Sequence, residues 1–212
     1  SFRIMVNNSE KLNLFNIFLF VLLLSQMIIS HKLNSYRFPV YIEALPIDSI
    51  LPLMPVFAIV YFSVCPLFLF TLLLGLWKVD NLKFAEFLFA LVMLLSISNL
   101  INSLFPTLNV IRPESFDAGF LSPLVRYLYF IIPPYSTFPS MACVLATTCG
   151  FFCFRNKMRF SYLIYIWSAL ICISTIFTKM NYVLDLLGSV PLAISSYLFA
   201  EIAYSKFFPQ NS

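Results

Sequence analysis

The chain has 212 residues, of which 61% are hydrophobic and only 10% are charged, and its net charge is +4. Soluble domains average about a quarter charged residues, so a mean hydropathy of +0.92 excludes a water-soluble globular domain and places the chain in a bilayer. The small positive charge, spread over few groups, gives no basic surface for nucleic acid, and no nucleic-acid partner is expected.

Apolar runs long enough for spans, each of roughly 20 residues, cover about 12–30, 50–77, 84–105, 138–154, 160–178 and 182–204. The expected fold is therefore an all-α integral membrane protein, one six-span helical bundle over residues 1–212 with no separate soluble domain. The first run resembles a signal peptide in position only. Its core is too long, and no small-residue cleavage site follows before "HKLNSYR", so it reads as an anchor. The second run is too long for one perpendicular helix. Pro52, Pro55 and Pro66 predict a non-spanning approach and then a kinked helix. In the third run Ser96, Asn99, Asn102 and Ser103 recur at helical spacing, which suits helix–helix packing or, alternatively, a ligand-facing stripe. Glu86 and Glu201 lie near the cytoplasmic helix ends and are expected to snorkel to water.

Arg3, Lys11, Lys78, Lys83, Arg155, Lys157, Arg159 and Lys206 fall on one side, eight basic residues against five on the other, Lys32, Arg37, Arg112, Arg126 and Lys179. The bias sets both termini in the cytoplasm. The loop over 106–137 and the short turn at Lys179 then face the periplasm, lumen or exterior. Three segments bring polar groups to that face. "FPTLNVIRPES" supplies Arg112, and "YSTFPSMACVLATT" supplies Ser140 at the start of the fourth run. There Pro139 suits a first helical turn capped by Ser136 or Thr137. "FTKMNYVLD" supplies Lys179, Asn181 and Asp185. If Asn181 opens the sixth helix, it lies one turn from Asp185 on the same face. An arginine, a helix N-terminus with free N–H groups, a serine and Lys179 together suit a phosphate; the alternative is that Asp185 simply pairs with Arg112 or Lys179. Tyr127, Tyr129 and Tyr135 suit an interfacial aromatic belt better than a headgroup pocket.

The five cysteines, Cys65, Cys143, Cys149, Cys153 and Cys172, sit in apolar runs without zinc spacing, and neither metal nor cofactor is expected. Cys149 and Arg155 match the C-x5-R spacing of cysteine phosphatases, but "CGFFCFR" lacks the glycine-rich loop and reads as the end of a span. The one histidine, His31, lies at the end of the first run and reads as a surface residue.

The segments "LPIDSILPLMPVFAIVYFSVCPL", "FPT…RP", "FPSM" and "STIFTKMNYVLD" resemble the type 2 phosphatidic acid phosphatase superfamily, nearest its branch of inositol phosphorylceramide synthases and related bacterial lipid phosphatases. That resemblance implies six spans and a site on the non-cytoplasmic face. The family's first motif ends in Arg-Pro, matched by Arg112 and Pro113, with Phe105 where a lysine is usual. Its second motif is Pro-Ser-x-His, and here reads Pro139, Ser140, Met141, Ala142. Its third runs Ser-Arg, five residues, His, three residues, Asp, and here reads Ser174, Thr175, Asn181, Asp185. By this resemblance Asn181 stands at the nucleophile position, Ala142 at the general-acid position, and Asp185 is the orienting carboxylate. Arg112, Ser140 and Lys179 would bind phosphate. An asparagine amide has no basic lone pair to attack phosphorus, and alanine offers no proton. Cys143, next to Ala142 on the helix, would point about 100° away from it.

The reading is thus a lipid-phosphate phosphatase- or phosphotransferase-like membrane protein whose chemistry is disabled. Its expected partner is a membrane lipid, a lipid phosphate, or a membrane protein that it regulates. The same pattern fits a lipid phosphatase or phospho-headgroup transferase inactivated by deliberate His→Ala and His→Asn changes at 142 and 181. A small transporter is the third reading, which predicts sites near the bilayer midplane rather than at one face.

Overall fold

The computed structural model describes residues 2–35, 40–42, 44–113, 119–135 and 137–207, with side chains from residue 13 to residue 206. Arg37 and Ser136, and the side chains of Arg3 and Lys11, lie outside the described residues. Among those described, nine helices follow in order: α1 Phe2–Leu33, α2 Pro46–Ile50, α3 Phe57–Phe62, α4 Val64–Lys78, α5 Asn81–Leu104, α6 Ser122–Ile131, α7 Met141–Arg155, α8 Ser161–Phe177 and α9 Val183–Phe207. Extended pairing among the described residues is confined to two isolated bridges, Tyr41 with Thr107 and Leu108 with Tyr135.

Four segments are long and apolar enough to cross a membrane: Asn13–Leu33, Phe57–Lys78, Asn81–Leu104 and Val183–Lys206. The predicted runs at 138–154 and 160–178 form shorter helices, α7 of 15 residues and α8 of 17. At 1.5 Å per residue these reach about 23 and 26 Å, less than the roughly 30 Å of a hydrocarbon core. The shortfall has a local cause. Residues 138–140 approach α7 as bends and extended backbone, and 178–182 form the turn into α9.

The second run is broken where its prolines require. Residues 51–54 follow α2 without helix, and α3 stops at Phe62. Pro66 has no N–H to give the Phe62 carbonyl and its ring crowds that oxygen. The chain restarts as α4, with Leu67 N donating to Ser63 O at 2.9 Å.

α7 lies at the centre, packed by α8, α9, α4 and α5. Eleven of its 15 residues are buried. Ala142, Cys143, Ala146, Cys149, Gly150 and Cys153 give it a small-residue surface that lets neighbouring backbones come close. The α7–α8 contact is tightest at Gly150, where an added Cβ would lie 2.5 Å from Ser168 Oγ and 2.9 Å from Ser168 Cβ. Gly150→Ala should therefore cost about 1–3 kcal/mol by overpacking, and Ser168→Gly should restore most of it. Denaturant unfolding of the detergent-solubilised variants checks both.

α1 lies along α5. Asn99 Nδ2 donates to Gln26 Oε1 at 2.9 Å, and Ser30 Oγ donates to Asn99 Oδ1 at 2.5 Å, so Asn99 performs the packing role read for it. At the opposite end Lys83 bridges Glu86 at 2.9 Å and Arg155 bridges Glu201 at 2.7 Å. Glu86 is buried rather than at the water surface, because Lys83 one turn earlier reaches it directly.

Candidate functional site

The site begins with the turn that ends α8. Met180 N donates to Thr175 O at 3.0 Å and Lys179 N to Ile176 O at 2.9 Å, the two bonds of a Schellman motif. Lys179 takes its left-handed position, with φ 56°, where glycine is usual. Asn109 Nδ2 holds this turn from outside, donating to Lys179 O at 3.1 Å and Met180 O at 3.0 Å.

α9 starts at Val183, so Asn181 precedes the helix instead of opening it. The turn requires this: residues 179, 180 and 181 all bond back to α8, Asn181 N reaching Thr175 O at 3.2 Å, and residue 182 connects to α9. Asn181 still reaches Asp185, because Asp185 folds back over the helix start. Its Oδ2 accepts from Tyr182 N at 2.8 Å and from Asn181 Nδ2 at 3.2 Å, as an acid at the third helical position does in half of a capping box.

The chain comes to α7 through a cis Phe138–Pro139 bond. Helix α7 opens at Met141 and its N-cap is Ser140, whose Oγ accepts from Cys143 N at 3.4 Å. This corrects the expected cap: Pro139 lies before the helix, and Thr137 is occupied elsewhere. Thr137 N donates to Thr107 Oγ1 at 2.7 Å. Its carbonyl accepts from Asn181 Nδ2 at 3.1 Å.

These parts meet at Asn181. Ser140 Oγ donates to Asn181 Oδ1 at 2.9 Å. Ser140 N donates to Ser189 Oγ at 2.8 Å, and Ser189 Oγ donates to Asp185 O at 2.5 Å. Ser140, Asn181, Asp185 and Ser189 are all buried. One asparagine amide thus joins the α7 cap, the Thr137 carbonyl and the Asp185 carboxylate. Gly188 makes the α9–α7 approach possible, since a Cβ there would run into the Phe138 ring. Gly188→Ala should push Phe138 and Ser140 away from α9 and destabilise the fold by about 1–3 kcal/mol. Phe138→Leu should relieve it, as unfolding curves of the single and double variants will read.

Arg112 and Lys179 make their contacts elsewhere. Arg112 Nη1 donates to Ile132 O at 2.6 Å and Nη2 to Pro133 O at 3.4 Å. Its guanidinium lies 5.1 Å from the centre of the Tyr129 ring, and its buried Nε has no hydrogen-bond partner among the described residues. Burial lowers its pKa, with the neighbouring tyrosines 61, 129 and 182 opposing, yet a guanidinium stays charged at neutral pH. Burial pushes the Tyr129 hydroxyl up to about 12, with Arg112 pulling it down. That hydroxyl donates to Thr178 O at 2.8 Å, so Tyr129 is part of the site's frame, whereas Tyr127 is exposed and stacks on Phe62. Lys179 is buried, and its Nζ donates to Asp48 O at 2.5 Å. Burial lowers the Lys179 pKa, and Asp48 opposes.

Ala142 packs in a small cluster with Tyr61, Val125, Leu128 and Met180, against which Tyr129 rests. Arg112 and the α7 N-terminus thus border the same cluster. Ala142 also lines a cavity of about 490 Å³ that His31 borders; His31 is exposed, as read, but it faces this cavity. Cys143 is buried in the α7–α8 contact with Cys172 and Thr175, turned from Ala142 as the helix angle predicts.

Asp48 is the main residue that sequence reading passed over. It is buried; its Oδ1 accepts from Val183 N at 2.8 Å and its Oδ2 from Leu45 N at 2.8 Å. Its signal was a lone acid between Pro46 and Pro52. Ser189 carried a clearer one, four residues after Asp185 as Asp185 is four after Asn181. Among the described residues no group of His, Cys, Asp and Glu is placed to hold a metal ion.

A family model described as the PAP2 superfamily matches residues 44–199. No curated protein matches the chain. The matched span runs from the approach to α2 into α9 and contains Asp48, Arg112, Ser140, Ala142, Asn181 and Asp185.

Proposed function

The chain belongs to the PAP2 superfamily, and from that premise we propose that it is a catalytically disabled lipid-phosphate binder of six spans. Its termini are cytoplasmic and its site lies on the opposite face. The observation that carries this reading is the Asn181 side chain, held between Ser140 Oγ at 2.9 Å and Asp185 Oδ2 at 3.2 Å. An imidazole in that place would have one nitrogen on the carboxylate and the other presented to phosphorus. The amide makes the first contact and has no base for the second. Its carbonyl instead takes the Ser140 proton, which closes the polar cluster on itself.

Anion binding is supported separately. Arg112 is a half-buried cation whose contacts among the described residues are neutral: two carbonyls and an aromatic face. Buried charges are normally paired, and a phosphate would pair this one. The N-terminus of α7 brings its partial positive charge to the same cluster. Asp185 orients Asn181 and Tyr182, and Lys179 acts on the site by fixing the turn.

Equilibrium binding tests this. The purified chain should bind a short-chain phosphatidic acid at least about tenfold tighter than the matching diacylglycerol, and Arg112→Leu should remove most of that difference, the worth of a charge-assisted contact. Equal affinity for the two lipids in the unaltered chain overturns the phosphate assignment.

A further inference from the structure

The end of α7 opposite Ser140 carries a second arrangement of polar groups. The turn from Arg155 to Arg159 has three basic residues and no acid. Its backbone repeats the turn at Lys179. Met158 N donates to Cys153 O and Lys157 N to Phe154 O, both at 3.1 Å, a second Schellman motif. Lys157 takes the left-handed position at φ 48°, where glycine fits more easily, so the turn itself does not call for a lysine. Two of the three cations are engaged. Arg155 bridges Glu201 at 2.7 Å, and Arg159 lies over the Phe160 ring at 5.0 Å. The Lys157 ammonium has no ion pair among the described residues.

Lys157 borders a cavity of about 570 Å³ between this turn and the start of α8. Ser161, the first residue of α8, lines the same cavity and is 7% exposed. Its hydroxyl has no hydrogen-bond partner among the described residues, yet its Oγ keeps accessible area, so it opens into the cavity. No side chain caps α8. Ser161 N and Ile164 N find carbonyls in the turn, at Met158 and Phe160, whereas Tyr162 N and Leu163 N find none. An ammonium, a buried hydroxyl and the positive end of a helix thus meet at one cavity, and an anion would satisfy all three.

We propose that this cavity binds the phosphodiester of an anionic membrane phospholipid, Lys157 pairing its charge while Ser161 and the α8 N-terminus donate to its oxygens. The setting points to a lipid source. Both α7 and α8 are shorter than a hydrocarbon core, so the turn that joins them lies at the depth of lipid phosphates. Phe160, Tyr162 and Leu163 beside it are exposed, as residues against acyl chains would be. One unpaired cation matches a headgroup with one net negative charge and not a zwitterionic one. The inference stands on Lys157, Ser161 and their cavity, and holds whether or not phosphate binds at Arg112.

The test compares phosphatidylglycerol with phosphatidylcholine of the same acyl chains, bound to the purified chain in neutral detergent and read by native mass spectrometry. The unaltered chain should favour phosphatidylglycerol by about tenfold, the worth of one charge-assisted contact. Lys157→Gly should remove most of that preference and leave the denaturant midpoint no lower, because glycine suits the left-handed position; a damaged turn would lower both. Ser161→Ala should weaken phosphatidylglycerol by about threefold. Arg159→Gln, outside the cavity, should change little, and Arg112→Leu should leave the preference intact. Equal binding of the two lipids by the unaltered chain overturns the proposal. So does equal loss in Lys157→Gly and Arg159→Gln with Ser161→Ala unchanged, the mark of a diffuse basic surface. Loss of the preference in Arg112→Leu would place the lipid at the other site, and full displacement by millimolar inorganic phosphate would make this a site for the free ion; either result overturns the assignment.

Discussion

Placing histidine at 142 and 181 together should make the chain release phosphate from lipid monophosphates. The rise should be on the order of 10⁴-fold or more over the unaltered chain, since removing members of such a catalytic unit costs up to about a millionfold. The surroundings admit both side chains. Ala142 packs against Tyr61, Val125, Leu128 and Met180 but also borders a cavity of about 490 Å³, so an imidazole turned into that cavity would be placed to protonate the leaving oxygen. At 181 the Asp185 carboxylate already sits 3.2 Å from the asparagine nitrogen. It would take an imidazole N–H in the same way and leave the second nitrogen free to attack. Ser140, released from Asn181 Oδ1, would have its proton available for a phosphate oxygen. Because nucleophile and acid work as a unit, Ala142→His alone should do nothing measurable. Asn181→His alone should give at most a slowly turning phosphoenzyme. Phosphate release with time, for all four combinations, reads these differences.

Asp48→Ala should be among the most damaging single changes. Asp48 joins α2 to the start of α9 across 135 residues of sequence, and its two oxygens accept from Val183 N and Leu45 N. Hydrogen bonds to a charged group contribute about 1.5–3 kcal/mol each, so losing both predicts a loss of about 3–5 kcal/mol. Asp48→Asn keeps one acceptor and should lose about half as much. The Lys179 contact is with the Asp48 backbone carbonyl and survives both substitutions, which confines the effect to the carboxylate. Unfolding of the three proteins in one detergent measures the series. A change of under about 0.5 kcal/mol in Asp48→Ala would show that the carboxylate does not hold α9 in place.

Much of this molecule is written locally in its sequence. Apolar runs specify the helices α1, α5 and α9 because every backbone polar group in hydrocarbon must be met within the segment. Pro66 specifies the break at residue 63 because a missing N–H acts on the carbonyl four residues earlier. The link from Asn181 to Asp185 was legible from their spacing. The start of α9 was not, because it depends on the Schellman turn at Lys179, which a non-glycine residue in the left-handed region does not advertise. The cap of α7 was misplaced by one element of the same kind: Thr137 is drawn off by Thr107, a partner 30 residues away. Arg112 appeared as a plain phosphate ligand in sequence. Its two carbonyl contacts and the Tyr129 face come from the segment over 129–133, which no periodicity places beside residue 112. Asp48 shares that difficulty, since what defines it is a set of backbone neighbours, Val183 N and Leu45 N, brought to it by tertiary packing.

The most direct measurement is turnover by the chain as it stands. The purified protein is incubated with a short-chain lipid monophosphate and inorganic phosphate is followed over hours. The account predicts release at the rate of the protein-free control, together with saturable binding of the same lipid. Hydrolysis at an ordinary enzymic rate, about 1 per second or faster, would contradict it and would require a nucleophile other than residue 181.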